Sequence, residues 1–466
     1  MKFSISLVNA ALGAVFFKTV SAATCNLKPS YATPLTADGW QAQLVATSLS
    51  KPRGIVFDTS GNLLVVQAGS GIVHLAFDDG GSTCLDVSKK TSLINAPTLN
   101  HGIALSNDGK ILYASSSEAV FSWSYDASAV TVSYTNQTLV TGMTNDDHTT
   151  RTLLMSQKEP SILVVSRGST SNIDTEAEFL SSGHSQIKAF DLNNVSSSAP
   201  YDFNTQGRLL GWGLRNSVGV AEEPTIGGIY SVENSADEID RAGVDIHQNN
   251  PGEEMNYHGF LNASTENQGG NYGYPLCFAV WNTNIPDLGT LKVGDQFALD
   301  QNATSNDTTC QTKRVSPRLT FQAHMAPLDM KFLPNGTEAY ISFHGSWDRT
   351  NPIGYKVSSL LFSSGSPTAP SDSTNSTTDI FANADNSACP DNCFRPVGLA
   401  VDGEERLWVS SDATGELYVL ARTSTGTATS SGATPSATKK SSAGRVGASG
   451  ALVAVLLGAV LVVVML

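Results

Sequence analysis

The sequence predicts an all-β protein, a six-bladed β-propeller, on three observations. One hairpin pattern, made of a strand, a tight turn and a second, mostly apolar strand, recurs six times along the chain. Helical periodicity is nearly absent outside the two ends of the chain. Four-stranded units of this size lose their exposed edges when they close into a ring. A pair of β-sandwich domains is the alternative architecture.

The six hairpins follow one another through the central part of the chain. In the first, a strand at 53–58 leads through a Ser-Gly-Asn turn into a second strand at 63–66. Gly, Asn and Asp dominate the turns of most copies, because these residues tolerate the backbone conformations of tight turns. The third copy is the weakest. The other five copies begin at His101, Arg151, Gly213, Leu328 and Val397.

The N-terminal end predicts secretion. Lys2 is followed by an apolar run and by the small-residue pattern Val20-Ser21-Ala22, which together are typical of a cleaved signal peptide at residues 1–23. The propeller is then expected to occupy residues 24–422.

The C-terminal end predicts a membrane anchor. Residues 423–450 are rich in Ser, Thr, Ala and Gly, a composition typical of a flexible, O-glycosylated stalk. The uninterrupted apolar run at 451–466 follows small residues around Ser441, as in a glycosylphosphatidylinositol signal. A tail-inserted helix is the alternative. The expected location is therefore the cell surface, with a lipid anchor in the plasma membrane.

Six cysteines in a secreted chain imply disulfide bonds. Among the possible pairings we favour Cys25–Cys84, Cys277–Cys310 and Cys389–Cys393. The formal net charge of −14 argues against a nucleic acid partner, whose phosphates demand a basic face. Seven glycosylation sequons agree with the secretory route, at Asn136, Asn194, Asn262, Asn302, Asn306, Asn335 and Asn375.

Polar residues recur just before the first strand of the hairpins. In a propeller these first strands line the central channel, so the residues before them gather around one mouth of it. Charged groups near an axis are costly unless paired, and guanidinium groups match carboxylates through two hydrogen bonds. The set therefore predicts a polyanionic ligand. Its members are Arg53, His101, His148, Arg151, Arg215, Asn216, His324 and Arg395.

Four motifs in order carry a family resemblance. They are GLRN at 213–216, NYGYP at 271–275, HMAPLDMKF at 324–332, and HGSWDR at 344–349 followed by GYKV. The chain resembles the sorbosone dehydrogenase-like family over about residues 40 to 422. Fungal members of that family are pyrroloquinoline quinone (PQQ)-dependent pyranose dehydrogenases of auxiliary activity family 12. A more distant resemblance is to the bacterial soluble quinoprotein glucose dehydrogenases.

The resemblance implies PQQ as the cofactor, whose three carboxylates and ortho-quinone suit a cationic mouth. It also implies that His148 accepts the sugar hydroxyl proton, a role that suits an imidazole. Asp147 is expected to orient His148 or to touch the substrate. Arg215 is expected at the quinone oxygen, where negative charge develops, with Asn216 hydrogen-bonded beside it.

Several further residues are expected to hold the cofactor. Arg395 matches a carboxylate-binding arginine of the bacterial pattern, while Cys393 stands where that pattern has a second arginine. His344, Trp347 and Arg349 are candidates for the remaining contacts, with the indole of Trp347 stacking on the cofactor. The register of the hairpins, rather than the bacterial pattern, adds the cofactor-binding candidates Arg53, His101, Arg151 and His324.

Calcium is implied by the same resemblance. The backbone carbonyls of Asn234 and Ser235 are the expected metal ligands, with Asp237 or Glu253 behind them. The bacterial Gly-Pro pair is absent at this place.

The implied function is an extracellular quinoprotein oxidoreductase that transfers hydride from a pyranose sugar to PQQ. Electrons then pass to an external acceptor, a haem or copper redox protein or a quinone. The alternatives are a calcium-dependent propeller lactonase or related hydrolase, and a non-catalytic propeller adhesin.

Overall fold

The computed structural model describes residues 23–423 except residues 197 and 264, and within them the chain forms six four-stranded antiparallel sheets around a central channel. The predicted six-bladed propeller is thereby confirmed. Most of the predicted signal peptide, almost all of the stalk and the whole anchor signal lie outside the described residues.

The blades are numbered in chain order, and each is given from its innermost strand outward. Blade 1 consists of Pro52–Phe57, Leu63–Gln67, Gly71–Asp79 and Leu85–Asn95. Blade 2 consists of Leu99–Leu105, Ile111–Ser116, Val120–Asp126 and Gln137–Thr141. Blade 3 consists of Leu153–Met155, Ile162–Arg167, Gln186–Asp191 and Arg208–Trp212.

The second half of the ring repeats this order. Blade 4 consists of Ser217–Glu222, Gly228–Glu233, Glu253–Phe260 and Leu319–Phe321. Blade 5 consists of Pro327–Phe332, Glu338–Phe343, Lys356–Ser363 and Thr377–Ala382. Blade 6 consists of Pro396–Val401, Leu407–Ser411, Glu416–Arg422 and, as its outermost strand, Trp40–Ala46. In every blade the first two strands are the hairpin that the sequence predicts.

Smaller elements decorate the blades. Short strands at Leu35–Thr36, Thr131–Val132, Tyr201–Asp202 and Ser366–Pro367 extend blades 5 and 2. Two two-stranded sheets pair Asp240–Arg241 with Val244–Asp245 and Cys277–Ala279 with Gln296–Ala298. Within the described part of the chain one α-helix occurs, at Asp307–Lys313, with 3-10 turns at Thr175–Glu178, Leu180–Ser182, Leu192–Asn194 and Asn386–Ala388. No helix among the described residues is long and apolar enough to cross a membrane.

The ring is closed by the two ends of the propeller. Trp40–Ala46 pairs antiparallel with Glu416–Arg422, so the N-terminal strand completes the last blade. All neighbouring innermost strands contact each other around the channel. Glycine permits the closest approaches: a Cβ at Gly54 would lie 2.2 Å from the carbonyl oxygen of His101.

The apolar core lies between the blades. Each of the six main clusters of buried hydrophobic side chains joins two neighbouring blades; between blades 6 and 1, for example, Trp408 packs with Leu63 and Val73. Burying one such side chain stabilises the fold by about 1.5–3 kcal/mol. The predicted disulfides Cys25–Cys84, Cys277–Cys310 and Cys389–Cys393 are all formed.

Candidate active site

One mouth of the channel carries a chain of ion pairs and hydrogen bonds across blades 2, 1, 6 and 5. Arg53 donates from Nε to His101 Nδ1 at 3.2 Å and from Nη1 to Asp412 at 2.7 Å. His344 lies 2.9 Å from the other oxygen of Asp412, and Arg395 contacts His344 Nδ1 at 3.0 Å. Two of the predicted residues, Arg53 and His344, thus contact the Asp412 carboxylate directly, and two more, His101 and Arg395, contact these two in turn.

The charges of these hydrogen-bonded residues set the protonation of Asp412 and His101. Burial favours the neutral acid at Asp412, but the hydrogen bond from His344 and the charge of Arg53 outweigh it and hold the pKa of this carboxyl well below its usual range. Burial lowers the pKa of His101 well below its usual value, and Arg53 lowers it further. Arg53 therefore lies beside a histidine, His101, that is neutral at pH 7.

His148 lies in the loop between blades 2 and 3, in a left-handed backbone conformation with φ of 38°. Such a conformation in a non-glycine residue is uncommon and costs about 1–3 kcal/mol, and it is concentrated at functional sites. The imidazole Nδ1 lies 2.8 Å from Ser169 Oγ and 3.2 Å from Ser169 O.

The partners of Ser169 assign the tautomer of His148. The Ser169 hydroxyl donates its proton to Ser171 O at 2.8 Å, so its oxygen acts as an acceptor toward His148. Nδ1 therefore carries the proton and Nε2 holds a free lone pair. Burial, and then the charge of Arg215, lower the pKa of His148 to about 4. The geometry makes Nε2 a neutral base at the mouth.

Arg151 lies behind His148. Its guanidinium is fully buried and donates to three backbone carbonyls, those of His148 at 2.7 Å, Thr150 at 2.6 Å and Met143 at 2.5 Å. These contacts place Arg151 as a support of the His148 loop.

Arg215 and Asn216 directly precede the first strand of blade 4. The Arg215 guanidinium donates to Asn172 O at 3.0 Å, to Asn172 Oδ1 at 2.8 Å and to Asp237 Oδ2 at 2.9 Å. Asn216 is buried beside His148. Both side chains pack against Gly168, since a Cβ added to this glycine would lie 2.6 Å from Asn216 Oδ1 and 2.9 Å from His148 Cβ.

The two carbonyls predicted to bind calcium converge on one positive group. Asn234 O and Ser235 O accept from Nη1 of Arg215 at 3.3 and 2.6 Å. Glu253 secures this loop, because one of its oxygens accepts from Ser235 N at 2.7 Å and the other from Ala326 N at 3.0 Å. The carbonyl pair is thus directed at the position of a cation.

His324 lies between two aspartates. Its Nδ1 is 3.4 Å from Asp237 Oδ1 and 3.2 Å from Asp348 Oδ1, and its Nε2 is 2.6 Å from His247 O. Burial acts to lower the pKa of His324, but the hydrogen bond to Asp237 and the charge of Glu253 outweigh it, so the pKa is raised.

Trp347 and Arg349 lie farther out on the same segment as Asp348. The Trp347 side chain is exposed, at 63% of its full accessibility. The Arg349 guanidinium donates to the backbone carbonyls of Gln248 and Asn351. Trp347 therefore offers a free aromatic face near the mouth, whereas Arg349 ties two loops together.

Reasoning from the sequence missed four residues of this site. Asp412 comes directly after the second strand of blade 6, and Ser169 comes two residues after the second strand of blade 3. Asp348 follows the second strand of blade 5 at a short distance. In an antiparallel hairpin the end of the second strand lies beside the start of the first, so this signal was present in the sequence. Asn172 follows the second strand of blade 3 at the same distance as Asp348 follows that of blade 5, so it carried the same signal.

Together, the fold and the mouth define a six-bladed propeller with a site for an anionic ligand at one end of its channel. Residues 34–423 match the TrAA12-like family, and the chain belongs to that family. The family expected from the four motifs is thereby confirmed.

Two curated relatives are similar over most of this chain. A "pyrroloquinoline quinone-dependent sugar dehydrogenase" of Hypocrea jecorina is 51% identical over 419 residues, which cover 88% of this chain and 95% of the relative. A "pyrroloquinoline quinone-dependent pyranose dehydrogenase" of Coprinopsis cinerea is 38% identical over 405 residues, or 83% of this chain. The match spans only 54% of that second relative.

Solved structures of similar proteins agree with this family assignment. The calcium structure of a Trichoderma reesei family AA12 protein is 53% identical, with a TM-score of 0.84 over 86% of this chain and 100% of that one. The holo form of the pyranose dehydrogenase PQQ domain from Coprinopsis cinerea is 38% identical, with a TM-score of 0.80 over 85% of this chain and 98% of that one. An aldose sugar dehydrogenase of Escherichia coli, at 14% identity and a TM-score of 0.54 over 82% of this chain and 100% of that one, shares the fold.

Proposed function

We propose that this protein is a PQQ-dependent dehydrogenase that oxidises a pyranose sugar. The observation that carries the proposal is the neutral imidazole of His148, whose Nε2 lone pair is free and whose pKa Arg215 helps to lower. Two relatives of the same family are named as PQQ-dependent sugar and pyranose dehydrogenases.

The mouth fits a cofactor with several carboxylates. Arg53 and His344 already bind one carboxylate, that of Asp412, and Arg395 lies beside His344. Arg53, Arg395 and His101 would hold the carboxylates of PQQ, with Trp347 available for stacking. Asn234 O and Ser235 O each accept a hydrogen bond from Arg215 Nη1, and each keeps a second lone pair with which it would bind Ca²⁺.

The chemistry then divides between cofactor and protein. When bound, PQQ supplies the ortho-quinone that accepts hydride, and Ca²⁺ supplies Lewis acidity beside it. His148 takes the proton of the sugar hydroxyl at Nε2. Arg215 provides positive charge where negative charge develops, and its bonds to Asn172 and Asp237 hold it in place. Arg151 keeps the His148 loop in position.

We further propose that the protein acts at the cell surface, held by a lipid anchor, and passes electrons to an external haem or copper protein or a quinone. The signal-like N-terminus, the apolar C-terminal run and three disulfides support this location.

The test combines binding and turnover. Purified protein mixed with PQQ and Ca²⁺ is expected to develop the absorbance of bound cofactor, and to reduce an artificial dye when aldoses are added. If neither binding nor dye reduction occurs across a panel of aldoses, the proposal is wrong.

A further inference from the structure

Asp237, His324 and Asp348 form a compact cluster in the loops of blades 4 and 5. One potential ligand atom of each residue lies within 4.8 Å of the other two. The side chains of His324 and Asp348 are each 4% exposed and that of Asp237 is 20% exposed. Three separate loops therefore bring two carboxylates and an imidazole to one nearly closed place.

The protonation of His324 follows from its other nitrogen. Nε2 lies 2.6 Å from His247 O, and a carbonyl oxygen can only accept, so Nε2 carries a proton. In the neutral ring Nδ1 then presents a lone pair to Asp237 Oδ1 and Asp348 Oδ1. With the ring neutral, three atoms with lone pairs face one another, so the cluster needs either a second ring proton, on Nδ1, or a bound cation to supply positive charge between them.

Within the described residues, the carboxylate of Asp348 depends on the nearby imidazole of His324 for compensation of its charge. Neither of its carboxylate oxygens has a hydrogen-bond partner within the part of the chain that the structure describes, although its side chain is almost completely buried. Its 3.2 Å approach to His324 Nδ1 does not have hydrogen-bond geometry. An ionised carboxylate buried in this way is costly unless it is paired or binds a metal. Asp237 differs, because its second oxygen accepts from Arg215.

We propose that Asp237, His324 and Asp348 bind a divalent cation through two carboxylate oxygens and His324 Nδ1. Imidazole nitrogen suits Zn²⁺ and similar ions and carboxylates suit Mn²⁺, whereas Ca²⁺ takes oxygen ligands. The cluster is therefore a different site from the carbonyl pair of Asn234 and Ser235. The metal site does not depend on sugar oxidation. By binding one oxygen of Asp237, the cation would hold this carboxylate in place, and the other oxygen of Asp237 accepts the hydrogen bond that positions Arg215.

The test uses Mn²⁺ as the probe on the purified full chain after dialysis against a chelator, without PQQ. Loss of the free Mn²⁺ resonance on titration is expected to show one tightly bound ion, and pulsed electron paramagnetic resonance is expected to show coupling to an imidazole nitrogen. Asp348→Asn and His324→Gln should each weaken Mn²⁺ binding roughly 10- to 100-fold. His324→Gln should also remove the nitrogen coupling. Zn²⁺ should displace Mn²⁺, and Asp108→Asn, at an exposed turn of blade 2, should change nothing.

Three outcomes would overturn the inference. The first is no Mn²⁺ binding at pH 8, which would leave a proton as the occupant of the cluster. The second is a bound ion without imidazole coupling in the unsubstituted protein, a measurement that stands even if a variant fails to fold. The third is binding of equal strength in folded Asp348→Asn and His324→Gln proteins, which would place the ion elsewhere.

Discussion

Asp412 Oδ2 lies 2.7 Å from Nη1 of Arg53, an ion pair between the last blade and the first. The pair joins these two blades at the channel mouth, whereas Trp40–Ala46 completes the outer edge of blade 6 through backbone hydrogen bonds. It also places one negative charge inside the group of cations that is proposed to bind PQQ. Asp412 therefore both organises these cations and competes with a bound carboxylate.

Replacing Asp412 by Asn should tighten PQQ binding, on the order of 1 kcal/mol at low ionic strength, because a like charge beside the cofactor is removed. The gain should shrink as salt rises. Titration of cofactor absorbance at two salt concentrations measures both effects. Asp379→Asn, which removes the exposed partner of Lys356, is the matched control. Weaker binding by Asp412→Asn would instead assign this residue a purely organising role.

Replacing His148 by Ala should reduce dye reduction by about 10²- to 10⁴-fold, because the general base is lost. The cofactor titration should stay unchanged, since the residues proposed to hold the PQQ carboxylates remain. Ser169→Ala keeps the ring but removes one acceptor of the Nδ1 proton, so a smaller loss is expected. Normal turnover in folded His148→Ala protein would eliminate this residue as the base.

The pH dependence of kcat/KM should report the state of His148. Burial and Arg215 lower its pKa to about 4, and the unprotonated form is the active one. Activity should therefore rise as the pH increases through about 4 and then no longer depend on this group. Asp147 favours the charged imidazole, so Asp147→Asn should move the acidic limb to lower pH. A limb near 6.5, or a shift upward in this variant, would contradict the assignment.

The contribution of Glu253 and Glu254 to the stability of the propeller should fall as the pH rises from about 4.5 to about 8. Burial, assisted by the neighbouring Glu253, raises the pKa of Glu254 to about 8, and burial raises that of Glu253 to about 7. The folded state then binds protons that the unfolded state has released, so unfolding becomes easier as the pH increases through this window.

Glu254→Gln should flatten that pH dependence. The change in the free energy of unfolding between pH 5 and pH 8 should become smaller by on the order of 1–2 kcal/mol. Denaturant unfolding at several pH values provides the measurement. Glu118→Gln, at an exposed position of blade 2, is the control and should leave the slope unchanged. An unaltered slope in Glu254→Gln protein would show that Glu254 is ionised when buried.

The sequence determined the number of blades and the inner hairpin of each, and the favoured disulfide pairing is the one that the structure shows. Period-two apolar strands and Gly-, Asn- and Asp-rich turns are local signals, so they survive without knowledge of the fold. The position of Arg53, His101 and Arg395 at one mouth followed from the same register. The motif order around Arg215 and His344 was sufficient to identify the family.

Only the tertiary structure decided what each of these side chains contacts. Arg53 and Asp412 are separated by 359 residues, and no local pattern pairs them. Arg151 and Arg215 stand at equivalent places before inner strands. Both donate to backbone carbonyls, but Arg215 also forms an ion pair with Asp237. The physical reason is that a hydrogen bond needs its partner within about 3 Å, and in a closed ring that partner comes from a distant segment.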